Sequence, residues 1–238
     1  ILNCEGCLFR INPVDPKLIP IPIEGLKDLN NDHGITPDGR SLIVSDSPDT
    51  GSSIIYTVPY SGGRPSQVTD ASPSWWHGIS PDGKTLAYTA RRNGVFDIYS
   101  CPFEGGVEKR LTDDFDHTDG PDYTADGKWI WFNGSKSGSM DLWRMHPDGT
   151  DIERMTSGTS VDWFPHPSPD GNTVLYLAYE AGTEGHPRNH YVELRLLHLK
   201  DGSETCLSEI FGGQGTINVP CWEPNGRRFA FVDVLKDG

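Results

Sequence analysis

Thr36-Pro37-Asp38-Gly39, Ser80-Pro81-Asp82-Gly83, Thr124-Ala125-Asp126-Gly127, Ser168-Pro169-Asp170-Gly171 and Glu223-Pro224-Asn225-Gly226 are five copies of one tight polar turn. They begin at 36, 80, 124, 168 and 223, so the steps are 44, 44, 44 and 55 residues. Each is built to reverse the chain: Pro presets φ, Asp or Asn bonds nearby backbone amides, and Gly accepts the positive φ that closes a hairpin. Apolar, β-branched or aromatic runs follow them, such as Thr85-Leu86-Ala87-Tyr88, Trp129-Ile130-Trp131-Phe132 and Thr173-Val174-Leu175-Tyr176. These read as buried strands. A period in the forties with strands and almost no helical pattern predicts an all-β propeller of four-stranded antiparallel blades.

Working outward, a short inner strand precedes each turn (Trp76-His77-Gly78-Ile79, Pro121-Asp122-Tyr123) and a third strand follows the second (Asp97-Ile98-Tyr99-Ser100, Asp141-Leu142-Trp143-Arg144-Met145). A more polar fourth strand ends in Val68-Thr69, Leu111-Thr112, Met155-Thr156 or Leu207-Ser208. One propeller domain over 1–238 results, with blades at 31–70, 75–113, 118–157 and 161–208. Segment 7–23 supplies the outer strands of a further blade and 218–235 its inner strands. Five blades follow if those ends meet, and six if a blade's worth of sequence is missing.

Composition removes several function classes. With 20 Lys+Arg against 34 Asp+Glu the formal charge is −14, which argues against nucleic acid and against an anionic membrane surface. No apolar run approaches the roughly 18 residues of a spanning helix, so no membrane insertion is expected. Cys4, Cys7, Cys101, Cys206 and Cys221 are odd in number and scattered, and read as free thiols rather than a disulfide framework or zinc site. Cys4 and Cys7 flank a hairpin turn at Glu5-Gly6. Free thiols tilt the expected location toward the cytoplasm over the periplasm or the exterior.

The Pro-Asp-Gly turn, the Asp-Ile-Tyr or Asp-Leu-Trp third strand and the Arg-Leu-Thr fourth strand together resemble the TolB-like propeller repeat (PD40, WD40-like). Asn31-Asp32-His33-Gly34, Trp163-Phe164-Pro165-His166 and 212–220 resemble an uncharacterised branch of that family, which closes with six blades. The resemblance implies work through protein contacts. The repeat is also similar to the propeller of oligogalacturonate lyases, where histidines and a glutamine hold a divalent metal. Gln214 matches that pattern, but Ile217 and Val219 stand where further histidines would be needed.

In this strand order the chain enters each inner strand on the face where the loop between second and third strands also opens. His33 and His77 lie three residues before their turns, Asp119 and Asn218 five before, and His166 two before. The long fourth step places an insertion, Tyr179 to Tyr191, in a loop on that face, carrying Glu184, His186, Arg188 and His190. Long loops on a rigid scaffold usually serve binding.

Three readings of this collection stand side by side. In the first, His33, His77 and Gln214 hold a divalent metal such as manganese, zinc, iron or calcium. In the second, a His or Tyr acts as base on a sugar, with His166, His186, Arg188 and His190 the catalytic candidates and Arg91, Arg92, Arg188 or Lys136 neutralising a carboxylate. In the third, His33 and His77 bond loop backbones and hold the blades in register. Trp76, Arg91, Arg92, Asp119, Lys136 and Asn218 are the candidate ligand contacts, and His117, in the acidic stretch Asp113 to Asp116, reads as solvated. The expected function is a binding module or scaffold for a protein or carbohydrate ligand. The alternative is a carbohydrate-active enzyme, a polysaccharide lyase or glycoside hydrolase, with or without a divalent metal.

Overall fold

A computed structural model describes residues 1–49, 51–136 and 138–234. The described residues hold no helix and form five antiparallel sheets, the blades of a five-bladed β-propeller. The first sheet is three-stranded: β1 (Leu2–Cys4), β2 (Cys7–Arg10) and β3 (Ile19–Ile21). Four four-stranded sheets follow. They comprise β4 (Leu29–Ile35), β5 (Ser41–Asp46), β6 (Ile54–Pro59) and β7 (Ser66–Gln67), then β8 (Ser74–Ile79), β9 (Thr85–Arg92), β10 (Val95–Pro102) and β11 (Lys109–Arg110). Next come β12 (His117–Tyr123), β13 (Ile130–Ser135), β14 (Met140–Met145) and β15 (Glu153–Arg154). The last sheet is β16 (Val161–Pro167), β17 (Thr173–Tyr179), β18 (Arg188–His198) and β19 (Glu204–Gly213). In each four-stranded sheet the strands lie in chain order, and β4, β8, β12 and β16 pack beside one another in the centre.

The turn motif does the same work in each of the four four-stranded blades. Thr36 Oγ1 donates to Asp38 Oδ1 at 2.6 Å, Arg40 N donates to the same oxygen at 3.0 Å, and Ser41 N donates to Thr36 Oγ1 at 3.1 Å. The set recurs around Ser80 and Asp82, Thr124 and Asp126, and Ser168 and Asp170. Gly39, at φ +70°, supplies the left-handed residue that the reversal requires. A second device explains the motif of the outer strands. Thr69, Thr112 and Thr156 each accept a third-strand amide through Oγ1 at 2.9–3.0 Å. Asp97 and Asp141, both buried, take Arg110 and Arg154 of the fourth strand at 2.7 Å.

The core lies between blades. Trp76, Ile43, Ile55, Leu86 and Tyr88 form one cluster, and Trp163, Leu175, Leu177 and Leu194 another. A Cβ on Gly34 would collide with the Trp76 ring, so glycine there lets β4 lie against β8.

One detail departs from the sequence reading, the extent of the Tyr179–Tyr191 insertion, while the others refine it. A short strand, β1, precedes the segment that begins at Cys7, turning back through Glu5 and Gly6 so that Cys4 faces Cys7. The Tyr179–Tyr191 insertion is not all loop: residues from Arg188 onward pair with β19, which itself continues to Gly213. The last sheet therefore rises above its neighbours as a long hairpin. Residues 219–234 make a short inner pair, bridged at Trp222 and Phe229, that packs on the Trp163 cluster. The cysteines among the described residues are all free.

Candidate functional site

Each inner strand is interrupted by a bulge, and the bulges decide which side chains reach the axis. They fall between Leu29 and His33, Trp76 and Gly78, Asp119 and Asp122, and Trp163 and His166. A bulge re-aims neighbouring side chains, so equal distance from the turn does not mean equal direction. On β4 it is Asp32 that lines the axial cavity, not His33. On β8, Trp75 and His77 face it, and on β12, His117 and Asp119, each an i, i+2 pair on one side of a strand. Phe96, Phe164, His186, Gln214 and Asn218 complete a cavity of about 230 Å³.

Asp119 stands at its centre. His77 Nε2 lies 3.2 Å from Asp119 Oδ1, while His186 Nε2 and His117 Nε2 lie 3.7 and 3.9 Å from Oδ2. Around this carboxylate the rings form a nearly continuous wall. Trp75 stacks on Phe96 at 5.7 Å and Phe96 on His117 at 4.6 Å. His186 meets Trp163 and Phe164 edge-on at 4.3 and 5.2 Å, and Phe164 stacks with His77 at 6.2 Å. Phe164 holds φ at +55°, an uncommon and costly conformation for a bulky residue. The strain sits in the bulge of β16 and leaves the ring on the cavity.

Charge in the cavity is set by burial and by neighbours. Burial works against an imidazolium at His77, but the Asp119 hydrogen bond, the charges of Asp32 and Asp119 and the Asn218 carbonyl outweigh it, raising the pKa to about 9. Asp119 is opposed by burial too, yet the facing His117 and His77 rings hold it well below the usual carboxylate range. Burial lifts Asp32 to about 6 against the pull of His77. His186 is moved down by burial, with Asp119 opposing.

The predicted residues divide clearly. His77, Asp119, His186, Gln214 and Asn218 come together. Arg188 begins β18 and is felt by Asp32 as a nearby positive charge. His33 does not line the cavity; its Nδ1 faces Asn31 O at 3.0 Å, and burial lowers its pKa to about 4. His77 has both ring nitrogens engaged, Nδ1 with Asn218 O at 3.0 Å and Nε2 with Asp119, as the register-holding reading expects. A metal ligand needs a free nitrogen lone pair about 2 Å from the ion. His77 has neither nitrogen free and His33 lies off the cavity that Gln214 lines, so the three do not form one ligand set, and among the described residues no group of three or more His, Cys, Asp or Glu is arranged to hold a metal.

Several candidates serve the scaffold. His166 is buried with Nδ1 2.9 Å from Asp122 and Nε2 against Ile217 O, so it pins the segment that crosses the axis. Trp76 is 1% exposed in the inter-blade core, because neighbours on a strand point to opposite faces; its partner Trp75 reaches the mouth. Arg92 is clamped by Glu108 at 2.8 Å, Pro73 O and Ser74 Oγ, which leaves it no free donor face for a ligand. Arg91 is exposed and lies over the outer face of Phe96 at 5.4 Å. Lys136 pairs with Asp114 outside the cavity, and His190 lies on Tyr179 in a separate groove. His117 was expected in solvent but is sandwiched among Phe96, Trp163 and Asp119. Its i, i+2 relation to Asp119 was the available signal.

The comparisons with known proteins agree with this architecture. The TolB beta propeller domain family matches residues 70–234. An uncharacterised protein of Agrobacterium fabrum, Atu1656, is 46% identical over 98% of this chain and 80% of its own length. A solved structure of a protein from Agrobacterium tumefaciens, proposed to be a TolB, superposes with a TM-score of 0.95 at 44% identity, covering 99% of this chain and 85% of that one. The TolB homolog of Chlorobium luteolum is 30% identical over 60% of this chain, which spans 32% of that protein. An oligogalacturonate lyase in complex with manganese shares the fold at a TM-score of 0.57 with 13% identity, over 84% of this chain and 58% of its own. With the matched segment extending over most of its length, the chain belongs to the TolB β-propeller family.

Proposed function

We propose that this chain is a protein-recognition module whose axial mouth receives a short projecting group of a partner polypeptide. The observation that carries the reading is the aromatic-walled cavity, in which Trp75, Phe96 and Phe164 surround Asp119 and its histidines. Concave, mostly apolar sites with a few convergent polar groups are what ligands select. TolB-like propellers mediate protein interactions, which makes a polypeptide the partner of choice. The long β18–β19 hairpin beside the mouth adds a raised wall against which a peptide could lie. Catalysis draws less support, since His77 and His166 are both committed to carboxylates and backbone carbonyls.

Selection of a random-peptide library on the purified chain tests the reading. Enriched peptides should lose about tenfold or more in affinity for Trp75→Ala and Phe96→Ala, the loss of an aromatic anchor. Peptides that bind both variants as well as the parent, or a chain that binds only oligosaccharides on a glycan array, would overturn it.

A further inference from the structure

Asp119 is satisfied on one side only. Its Oδ1 accepts from Thr89 Oγ1 and Gly120 N at 2.7 Å each, and from His77 Nε2 at 3.2 Å. Its Oδ2 faces His186 Nε2 and His117 Nε2 at 3.7 and 3.9 Å, too far for hydrogen bonds. His117 Nε2, His186 Nδ1 and Trp163 Nε1 are buried with no partner within the protein. Native structures rarely leave buried polar atoms unpaired, and a bound water, ion or ligand is one common reason for an exception. Of these, His117 Nε2 faces Asp119 Oδ2 directly, and His186 turns its other ring nitrogen to the same oxygen.

The same carboxylate lines a cavity walled by the rings of Trp75, Phe96 and Phe164. Aromatic faces attract cations, and a carboxylate among them adds a full countercharge. The ionisable groups lining the cavity are Asp32 and Asp119 on one side of the balance and the His77 imidazolium on the other, with His117 and His186 beside them. Arg188 offsets Asp32 from above. The chain as a whole carries −14, so a cation approaches down a favourable field.

We infer that the axial mouth binds a primary ammonium group, presented by a partner polypeptide as its free N-terminus or as a lysine side chain. Its N–H donors go to Asp119 Oδ2 and to ring nitrogens of His117 and His186, and its charge lies against Phe96 and Phe164. The inference rests on the protein-recognition reading and names the group recognised. A divalent ion is the competing cation; the described residues lack an arrangement of ligands to hold one.

The test follows histidine ring resonances of the whole chain by NMR. The probes are Ala-Ala-Ala-amide, its N-acetylated form, N-acetyl-Ala-Lys-Ala-amide and zinc chloride. A free-amine peptide should shift the His117 and His186 signals saturably, and acetylating that amine should weaken binding at least tenfold. The two free-amine peptides tell an N-terminus from a lysine. Asp119→Asn should weaken binding as much as acetylation does. His186→Ala should weaken it too, with the melting temperature followed in parallel because the ring packs on Trp163 and Phe164. Equal binding of free and acetylated peptides overturns the ammonium inference and leaves protein recognition standing. Failure of every peptide overturns both. Zinc that shifts these rings at micromolar concentration while the peptides do not overturns the inference in favour of a metal.

Discussion

The two ends of the propeller obey different rules. At the end that carries the Pro-Asp-Gly turns, each four-stranded blade repeats the same three hydrogen bonds between the same residue types. At the other end, every inner strand presents something different: Asp32, then Trp75 and His77, then His117 and Asp119, then Phe164. Repetition marks what the scaffold needs in order to close each hairpin. Its breakdown marks where blades stop serving one another and face a common cavity. Binding sites commonly sit on such irregular parts of a regular frame.

Trp75 and Trp76 bring this contrast down to adjacent residues. Trp76→Ala empties a fully buried inter-blade site and should cost about 3–5 kcal/mol of stability, as large-to-small core changes do. Trp75→Ala removes a ring at the cavity wall and should cost under about 1 kcal/mol, while weakening ligand binding. Urea denaturation of both variants measures the difference. Equal losses would erase the distinction between core and mouth at this strand.

His77 bears on the mouth alone and ranks next. Its folded pKa of about 9 lies above the ordinary value of 6.5, so its contribution is complete below about pH 6.5 and disappears as pH rises through 9. The groups facing it are Asp119, Asp32 and the Asn218 carbonyl. Melting temperature should therefore fall between about pH 6.5 and 9, and His77→Gln should flatten that fall while lowering the plateau below pH 6.5. A parent whose melting temperature is flat over this range would show that the imidazolium does not hold the mouth together.

Ser80 tests the opposite end. Its hydroxyl donates to Asp82 and accepts Thr85 N, two bonds that Ser80→Ala removes at a half-exposed site open to water. A loss of about 1 kcal/mol is expected. Thr124→Ala should cost the same, because the local geometry is the same. Unequal losses would mean that the turns are less equivalent than their hydrogen bonds.

How much of this was legible in the chain itself follows the same division. The turns declare themselves because local chemistry fixes them: four residues, one φ, one side-chain acceptor. The buried Asp97–Arg110 and Asp141–Arg154 pairs were visible as recurring letters, though not as ion pairs. The mouth was half legible. His77 and Asp119 stood out by their distance from a turn, and His186 by the insertion that carries it. His33 was given the place that Asp32 takes, since a bulge shifts facing by one residue and leaves no mark in the periodicity. His117 was hidden behind acidic neighbours that do point to solvent, and Arg92 looked free because Glu108 lies 16 residues away. What could not be read was long-range pairing, which only the closed ring creates.

Lys136 gives the smallest effect and the cleanest control. It shares the mouth side of the molecule with the cavity, and from sequence alone it is as good a ligand contact as Asp119. In the fold it pairs with exposed Asp114 and lies 5.5 Å over Phe115, away from the axis. An exposed pair of this kind contributes about 0–1 kcal/mol. Lys136→Ala should thus leave both stability and peptide binding within error of the parent, where Asp119→Asn should weaken binding about tenfold or more. If Lys136→Ala instead weakens binding as much as Asp119→Asn does, recognition extends over the whole loop face, and the axial cavity is only one part of a broader surface.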